Sequence, residues 1–159
     1  MPLKAVSLWV KLVRDSQTVL PLVRRGPLNE DGQPQSFVGL LQPPVHGKTD
    51  GREARAALFA EIEEEAGAAF LAMVRGQETA LRELLFDEES GVQPYVITLT
   101  EDQWATYVRA KEFVAEDIVV TAADLPKFRA STKADKAGTT EPYVMFVDQL
   151  RVLEALSKT

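Results

Sequence analysis

The sequence predicts one α+β domain, and three observations support this fold class. Its 159 residues are enough for a single domain of ordinary size. Hydrophobic residues make up 45% of the chain and charged residues 26%, a globular rather than a disordered composition. Segments typical of strands and of helices are mixed along the chain, without an internal repeat or a linker. We therefore treat residues 1–159 as one domain.

The N-terminal segment predicts a β-hairpin followed by loops. Two largely apolar runs, AVSLWVKLV and TVLPLVRR, flank Asp15 and Ser16, a pair suited to a tight turn. Residues 26–35 are rich in glycine and proline and predict a loop. The run SFVGLLQPPV predicts a short strand that ends at Pro43 and Pro44, and HGKTDG predicts another loop.

A helix is predicted over residues 51–66, where helix-forming residues dominate. Asp50 is positioned to cap its N-terminus, and Glu53, three residues later, would complete a capping box. Gly67 stands where a helix-terminating glycine is expected. Further along, residues 68–86 are ambiguous: AFLAMV could be a strand, and TALRELLF favours a helix. The other predicted elements are a strand at QPYVITLT, a short helix capped by Thr100, a strand and a helical turn in DIVVTAADLPKF, a mobile loop at residues 129–142, and an amphipathic C-terminal helix in EPYVMFVDQLRVLEALSK.

Composition excludes several classes of function. The chain has no cysteine, which removes disulfides, zinc–thiolate sites and cysteine nucleophiles. Its net charge of −6 argues against binding the nucleic-acid backbone. No apolar run approaches the roughly 20 residues that span a membrane, and the N-terminus is a poor signal peptide. We expect a cytoplasmic protein that binds neither nucleic acid nor membrane. The oligomeric state stays open, a homodimer included.

The helix carries an unusual acidic face near its C-terminal end. At 100° per residue, Glu61, Glu64 and Glu65 share one face, while Glu63 points elsewhere. No lysine or arginine lies three or four positions away to pair with them. Their mutual repulsion adds to the unfavourable helix dipole, and a divalent cation would relieve both. Mg²⁺ prefers such oxygen ligands, so the spacing favours a metal site, although most glutamate-rich faces are only solvated.

The segment GKTDGREARAALFAEIEEEAG resembles the Nudix box, written G-x5-E-x7-R-E-U-x-E-E-x-G-U, where U is a bulky aliphatic residue. Glu61, Ile62, Glu64, Glu65 and Gly67 match its second half, and the first half is matched by Gly47 and Glu53. The order of the predicted hairpin, short strand, box helix, late strand and C-terminal helix is also similar to that family.

The resemblance implies a Nudix-like mixed β-sheet sandwiched between helices. It also implies a pyrophosphohydrolase that uses Mg²⁺ or Mn²⁺ and acts on a small-molecule nucleoside diphosphate derivative. Glu61, Glu64 and Glu65 would bind the metal, and Glu116 matches a position where some members carry a further acidic ligand. Glu64 and Glu61 are the candidates for activating water.

Three other residues are candidates for binding the substrate: Arg25, Arg52 and His46. Strand alternation places Arg24 and Arg25 on opposite faces, so only one of them should reach a pocket, where it could bind a phosphate. Surface charge is the alternative for both arginines, and a plain loop residue is the alternative for His46.

The sequence departs from the box at two points. Ala60 stands where the box has an arginine, and the two halves are joined by six residues instead of seven. Arg52 or Arg55 could replace that arginine only from another turn of the helix. Glu53 fits a helix cap as well as a catalytic role. Two alternatives therefore stay open: a non-catalytic Nudix-fold module that binds a nucleotide or a protein, and an unrelated α+β domain with an acidic surface helix.

Overall fold

A mixed β-sheet with helices on both faces forms the protein, and the computed structural model describes residues 2–158. This confirms the predicted fold class. The strands are β1 (Ala5–Arg14), β2 (Gln17–Arg24), β3 (Leu41–Gln42), β4 (Val45–Lys48), β5 (Arg82–Glu83), β6 (Val92–Leu99), β7 (Ile118–Val120), β8 (Arg129–Ala130) and β9 (Val144–Met145). The α-helices are α1 (Ala54–Ala66), α2 (Ala68–Gly76), α3 (Glu101–Trp104) and α4 (Val147–Ser157), and 3₁₀ turns occupy Glu78–Ala80, Ala122–Lys127 and Lys133–Ala137.

Strand β1 is the centre of the main sheet. Its N-terminal half pairs with β4 and its C-terminal end with β2, both antiparallel, while β6 runs parallel along Ala5–Leu12. In residues 2–158 the main sheet has the order β3-β2-β1-β6-β5, with β4 added to β1 and β7 added to β2. The hairpin between β1 and β2 was predicted. Asp15 and Ser16 have φ values of 52° and 64°, the left-handed pair that a two-residue hairpin turn prefers.

The two faces of the sheet carry separate apolar cores. Helices α1 and α2 cover one face, where Leu58, Ile62 and Phe70 are fully buried with alternate residues of β1. Helix α4 covers the other face, where Leu153 and Leu156 pack with Trp9. Trp9 is only 1% exposed.

Helix α1 begins later than the sequence predicts. Its N-cap is Glu53, without a side-chain hydrogen bond to the helix, so the predicted capping box from Asp50 is wrong. Asp50 instead has a φ of 50° in a turn that the hydrogen bond from the Arg52 amide to the Thr49 carbonyl closes. The end at Gly67 is confirmed, with φ at 95° and its N–H bonded to the Glu63 carbonyl.

Residues 45–86 contain the other prediction errors. Residues 45–48 form strand β4 where a loop was expected after Val45, because β1 supplies a pairing partner far away in the sequence. Residues 68–76 are helical rather than extended, since Phe70 and Val74, one helical turn apart, enter the same core. The predicted helix near residues 79–86 is a 3₁₀ turn followed by edge strand β5.

Strand β6, strand β7 and the N-cap at Thr100 are as predicted, although α3 is only four residues long, and Gln103 completes a capping box with Thr100. Residues 129–142, expected to be a mobile loop, contain a short strand and a 3₁₀ turn. Arg129 fixes this segment with paired hydrogen bonds of 2.8 Å to Asp135 and further bonds to Glu141. Helix α4 starts only at Val147, because the residues before it pair as strand β9.

Across residues 2–158, each helix is too short or too polar to cross a lipid bilayer.

Candidate metal centre

Strand β4 and helix α1 meet where Gly47 contacts the Glu61 side chain. A Cβ atom added to Gly47 would overlap the carboxyl group and Cγ of Glu61. Only glycine therefore leaves room for this carboxyl group, which is buried to 8% exposure. This close approach gives a physical reason for glycine at the first position of the box-like segment.

The carboxyl groups of Glu61 and Glu65, one helical turn apart, form a pair in which each affects the pKa of the other. Glu65 also accepts a 3.3 Å hydrogen bond from the backbone N–H of His46. Burial raises the pKa of both carboxyl groups, and the charge of Glu64 raises the pKa of Glu61 further. Two neighbouring carboxyl groups that are shielded from solvent bind a proton more tightly than isolated glutamates do. A cation could take the place of that proton.

The remaining acids of α1 are arranged as the helical spacing predicted. Glu63 and Glu64 are both exposed, and of these two it is Glu64 whose charge raises the pKa of Glu61. Within residues 2–158, no three histidine, aspartate or glutamate side chains converge closely enough to form a preassembled metal centre. The structure thus brings Glu61 and Glu65 together and leaves Glu64 at the solvent edge beside them.

A fourth acid, Glu112, lies near the pair and was missed in the sequence. Its charge raises the pKa of Glu65, and burial raises the pKa of Glu112 itself. The backbone fixes its position, since the Glu112 carbonyl accepts a 2.8 Å bond from the Gly26 amide. A single glutamate in an irregular segment between α3 and β7 carries no spacing signal, so only the fold reveals it.

Glu116, the sequence candidate for a further ligand, is held in an ion pair with Arg24 at 3.2 Å. Arg24 also donates to the carbonyl groups of Gly39 and Pro142. Glu116 therefore stabilises the junction of these segments, and Glu112 is the acid that approaches Glu65 in this structure.

Arg25 lies on the opposite side of its strand from Arg24. Its Nε and Nη2 donate to the Ser36 carbonyl at 3.1 and 2.8 Å, and its Nη1 makes a long 3.5 Å contact with Gln42. Burial lowers the pKa of Arg25, and the Arg25 charge acts against the raised pKa of Glu112. Of the two arginines, Arg25 is the one beside Glu112, whereas Arg24 pairs with Glu116.

Arg52 and His46 occupy different sides of the site. Arg52 precedes α1, its Nε donates to the Thr49 carbonyl at 3.2 Å, and its charge acts against the raised pKa of Glu61. The Nudix box has an arginine at the position of Ala60. Arg52, which lies outside the helix, supplies part of the positive charge near Glu61 that such an arginine would provide. The His46 side chain lines a cavity on the opposite face of β4 from Gly47. Burial lowers the pKa of His46.

Solved structures share this fold. Among them are a mutT/nudix family protein from Listeria innocua (16% identity, 99% of this chain and 94% of that chain covered, TM-score 0.59) and the NUDIX domain of Shewanella oneidensis NrtR complexed with ADP ribose (14%, 99% and 88%, TM-score 0.50). MutT from Aliivibrio salmonicida and Vibrio cholerae is a third (15%, 98% and 99%, TM-score 0.50). The chain has the Nudix fold. No protein-family model and no curated protein sequence matches it.

The Nudix fold implies a divalent cation as a ligand, so the donor atoms of this site can be compared with those that such a cation prefers. The donor set fits: Glu61 and Glu65 supply carboxylate oxygens, the ligands that Mg²⁺ and Mn²⁺ prefer. Gly47 keeps the space around Glu61 free of a side chain. A cation at the pair would also offset the cost of burying the charged carboxylates, which is the main reason that both pKa values are raised.

Proposed function

We propose that this chain is a divalent-metal-dependent pyrophosphohydrolase that acts on a nucleoside diphosphate derivative. The observation that carries the proposal is the Glu61–Glu65 carboxyl pair set against Gly47 of β4. The Nudix fold supports it, as does the neighbour with the same fold that was solved with ADP ribose. A soluble cytoplasmic location fits this chemistry and stays part of the proposal.

Each acid has a proposed role. Glu61, Glu64 and Glu65 would hold Mg²⁺ or Mn²⁺, with Glu112 replacing Glu116 as the further acid. When bound, the cation supplies Lewis-acid polarisation of the diphosphate and acidifies a water molecule. Glu64 is exposed and Glu61 is not. Glu64 is thus better placed to accept the proton of an attacking water, while Glu61 remains buried against β4.

Arg25 would bind the diphosphate, whereas Arg52 would act on Glu61. In Arg25, Nε and Nη2 already donate to Ser36, which leaves Nη1, with its 3.5 Å contact to Gln42, for a phosphate oxygen. Arg52 would orient Glu61 through its charge, a role it would serve from the turn before α1. His46 contributes its backbone N–H to Glu65, and its ring lies on the other face of the sheet.

A hydrolysis screen tests the proposal directly. Nucleotide sugars, dinucleoside polyphosphates and ADP-ribose are incubated with the protein and Mg²⁺ or Mn²⁺, and the products are separated chromatographically. We expect metal-dependent turnover of at least one compound, strongly reduced in Glu64→Gln and Glu61→Gln. Glu63→Gln is the matched control, because Glu63 is exposed on the same helix and points away from the pair. Turnover that survives both substitutions would reject this site.

A second candidate is a binding module of the same fold without catalysis. Ala60 favours it, because an alanine cannot orient a metal-binding glutamate. This alternative predicts that a nucleotide raises the melting temperature while no product forms in the screen. The two candidates share the metal and ligand sites and differ only in turnover.

A further inference from the structure

A cavity of about 530 Å³ opens on the sheet face opposite the carboxyl pair. It lies between the start of β1, strand β4 and the first turn of α4, and its volume is within the range of small-molecule pockets. Two lysines on its wall, Lys4 and Lys48, are matched by two acids, Asp50 and Asp148. This balance of charge suits an uncharged polar group better than a phosphate.

Strand β4 connects this cavity with the acids. Gly47 faces Glu61 on one side of the strand, whereas His46 and Lys48 line the cavity on the other. In the part of the chain that is described, β4 pairs only with β1, and the His46 N–H on its outer edge points to Glu65. A single ligand that occupied both the carboxyl pair and the cavity would have to pass around this edge.

Gln149 is the polar side chain of the wall whose hydrogen bonding is incomplete. It is only 4% exposed, and its Oε1 is buried without a hydrogen-bond partner among the described residues. A buried acceptor without a donor is unfavourable, and a ligand N–H group would satisfy it. The half-buried ring of Phe146 lines the same cavity and is fixed edge-to-face against Phe37 at 4.9 Å.

We propose that this cavity binds the base of the nucleoside diphosphate substrate and that the Gln149 amide determines which base is accepted. Held in one orientation, an amide presents its acceptor and its donor in a fixed order, which complements only those base edges whose donor and acceptor stand in the matching order. Phe146 supplies an aromatic surface for stacking. The inference rests on the proposed function, which locates the diphosphate at the carboxyl pair.

The test compares the affinities of ADP, GDP, CDP and UDP, with pyrophosphate as the ligand without a base. Titration calorimetry with Mn²⁺ is performed on the full chain, on Gln149→Leu and on Glu154→Gln, an exposed position of α4. The wild type and Glu154→Gln are expected to discriminate about tenfold or more between the best and worst nucleotide, as a paired amide allows. In Gln149→Leu the four affinities converge, while pyrophosphate binds as before.

Equal affinities of the four nucleotides for the wild type, or an unchanged preference in Gln149→Leu, would overturn the inference. If the leucine variant does not fold, Gln149→Glu replaces the amide donor by an acceptor and must change the order of preference. An unchanged order overturns the inference as well. Base discrimination without turnover would support base binding in this cavity and reject hydrolysis. Turnover without base preference would support hydrolysis and reject base binding in this cavity.

Discussion

Replacing Gly47 with alanine is expected to destabilise the protein by displacing the buried Glu61 side chain or strand β4. The added Cβ would overlap three side-chain atoms of Glu61, Cγ, Cδ and Oε2, in a buried contact. Overpacking of this kind costs about 1–3 kcal/mol. For a domain of this size, each kcal/mol lowers the melting temperature by about 2–4 °C, which predicts a decrease of about 2–12 °C. Thermal unfolding followed by circular dichroism measures it.

Two comparisons isolate the cause. Gly76→Ala is the control, because no atom lies within 4 Å of its added Cβ, and it should leave the melting temperature unchanged or slightly higher. Glu61→Ala removes the three overlapping atoms, so Gly47→Ala should cost little in that background. Equal destabilisation by Gly47→Ala with and without the Glu61 carboxyl group would refute the overlap argument.

Two further predictions concern the acids. The pKa of Glu65 is raised in the folded state above its ordinary value of 4.5. The stability that protonated Glu65 adds to the folded state is therefore fully present below pH 4.5 and is lost as the pH rises through the folded pKa. In a chelator, the melting temperature should therefore fall toward alkaline pH, and less so in Glu65→Gln; parallel pH profiles would contradict this. Glu112→Gln should weaken Mn²⁺ binding in calorimetry, whereas Glu116→Gln should not, because Glu116 pairs with Arg24. Weaker Mn²⁺ binding by Glu116→Gln than by Glu112→Gln would instead identify Glu116 as the further metal ligand.

The sequence predicted those parts of the fold that depend on local pattern. Alternation and the turn pair Asp15–Ser16 identified the hairpin, and a helix-ending glycine identified the end of α1. Periodicity also separated Glu63 from the other acids of α1. Each of these features is decided within a few residues, so a single sequence contains the necessary information.

The errors occur where distant residues decide the structure. Strand β4 exists because β1 pairs with it, and α2 forms because Phe70 and Val74 enter a core that other segments complete. A short apolar run fits a strand and a buried helix equally well. The capping box failed because the chain turns at Asp50 before α1 begins.

The same limit applies to the candidate site. Helical spacing brought Glu61, Glu64 and Glu65 to one face, but it could not show which two meet or that Gly47 makes room for them. Glu112 comes from a separate irregular segment. Arg52 lies before the helix, whereas the arginine of the Nudix box would lie within it, at the position of Ala60. Glu112 becomes a candidate only once the fold has placed it near Glu65, whereas Arg52 was a candidate from the sequence and the fold shows only that it lies before α1.

The most direct test of the central claim is the effect of Mn²⁺ on the melting temperature. We predict that Mn²⁺ stabilises the wild type and Glu63→Gln, because a cation that binds only the folded state raises its stability. The double variant Glu61→Gln/Glu65→Gln should fold but gain no stability from Mn²⁺. Equal stabilisation of all three proteins, or none in the wild type, would contradict a metal site at the Glu61–Glu65 pair.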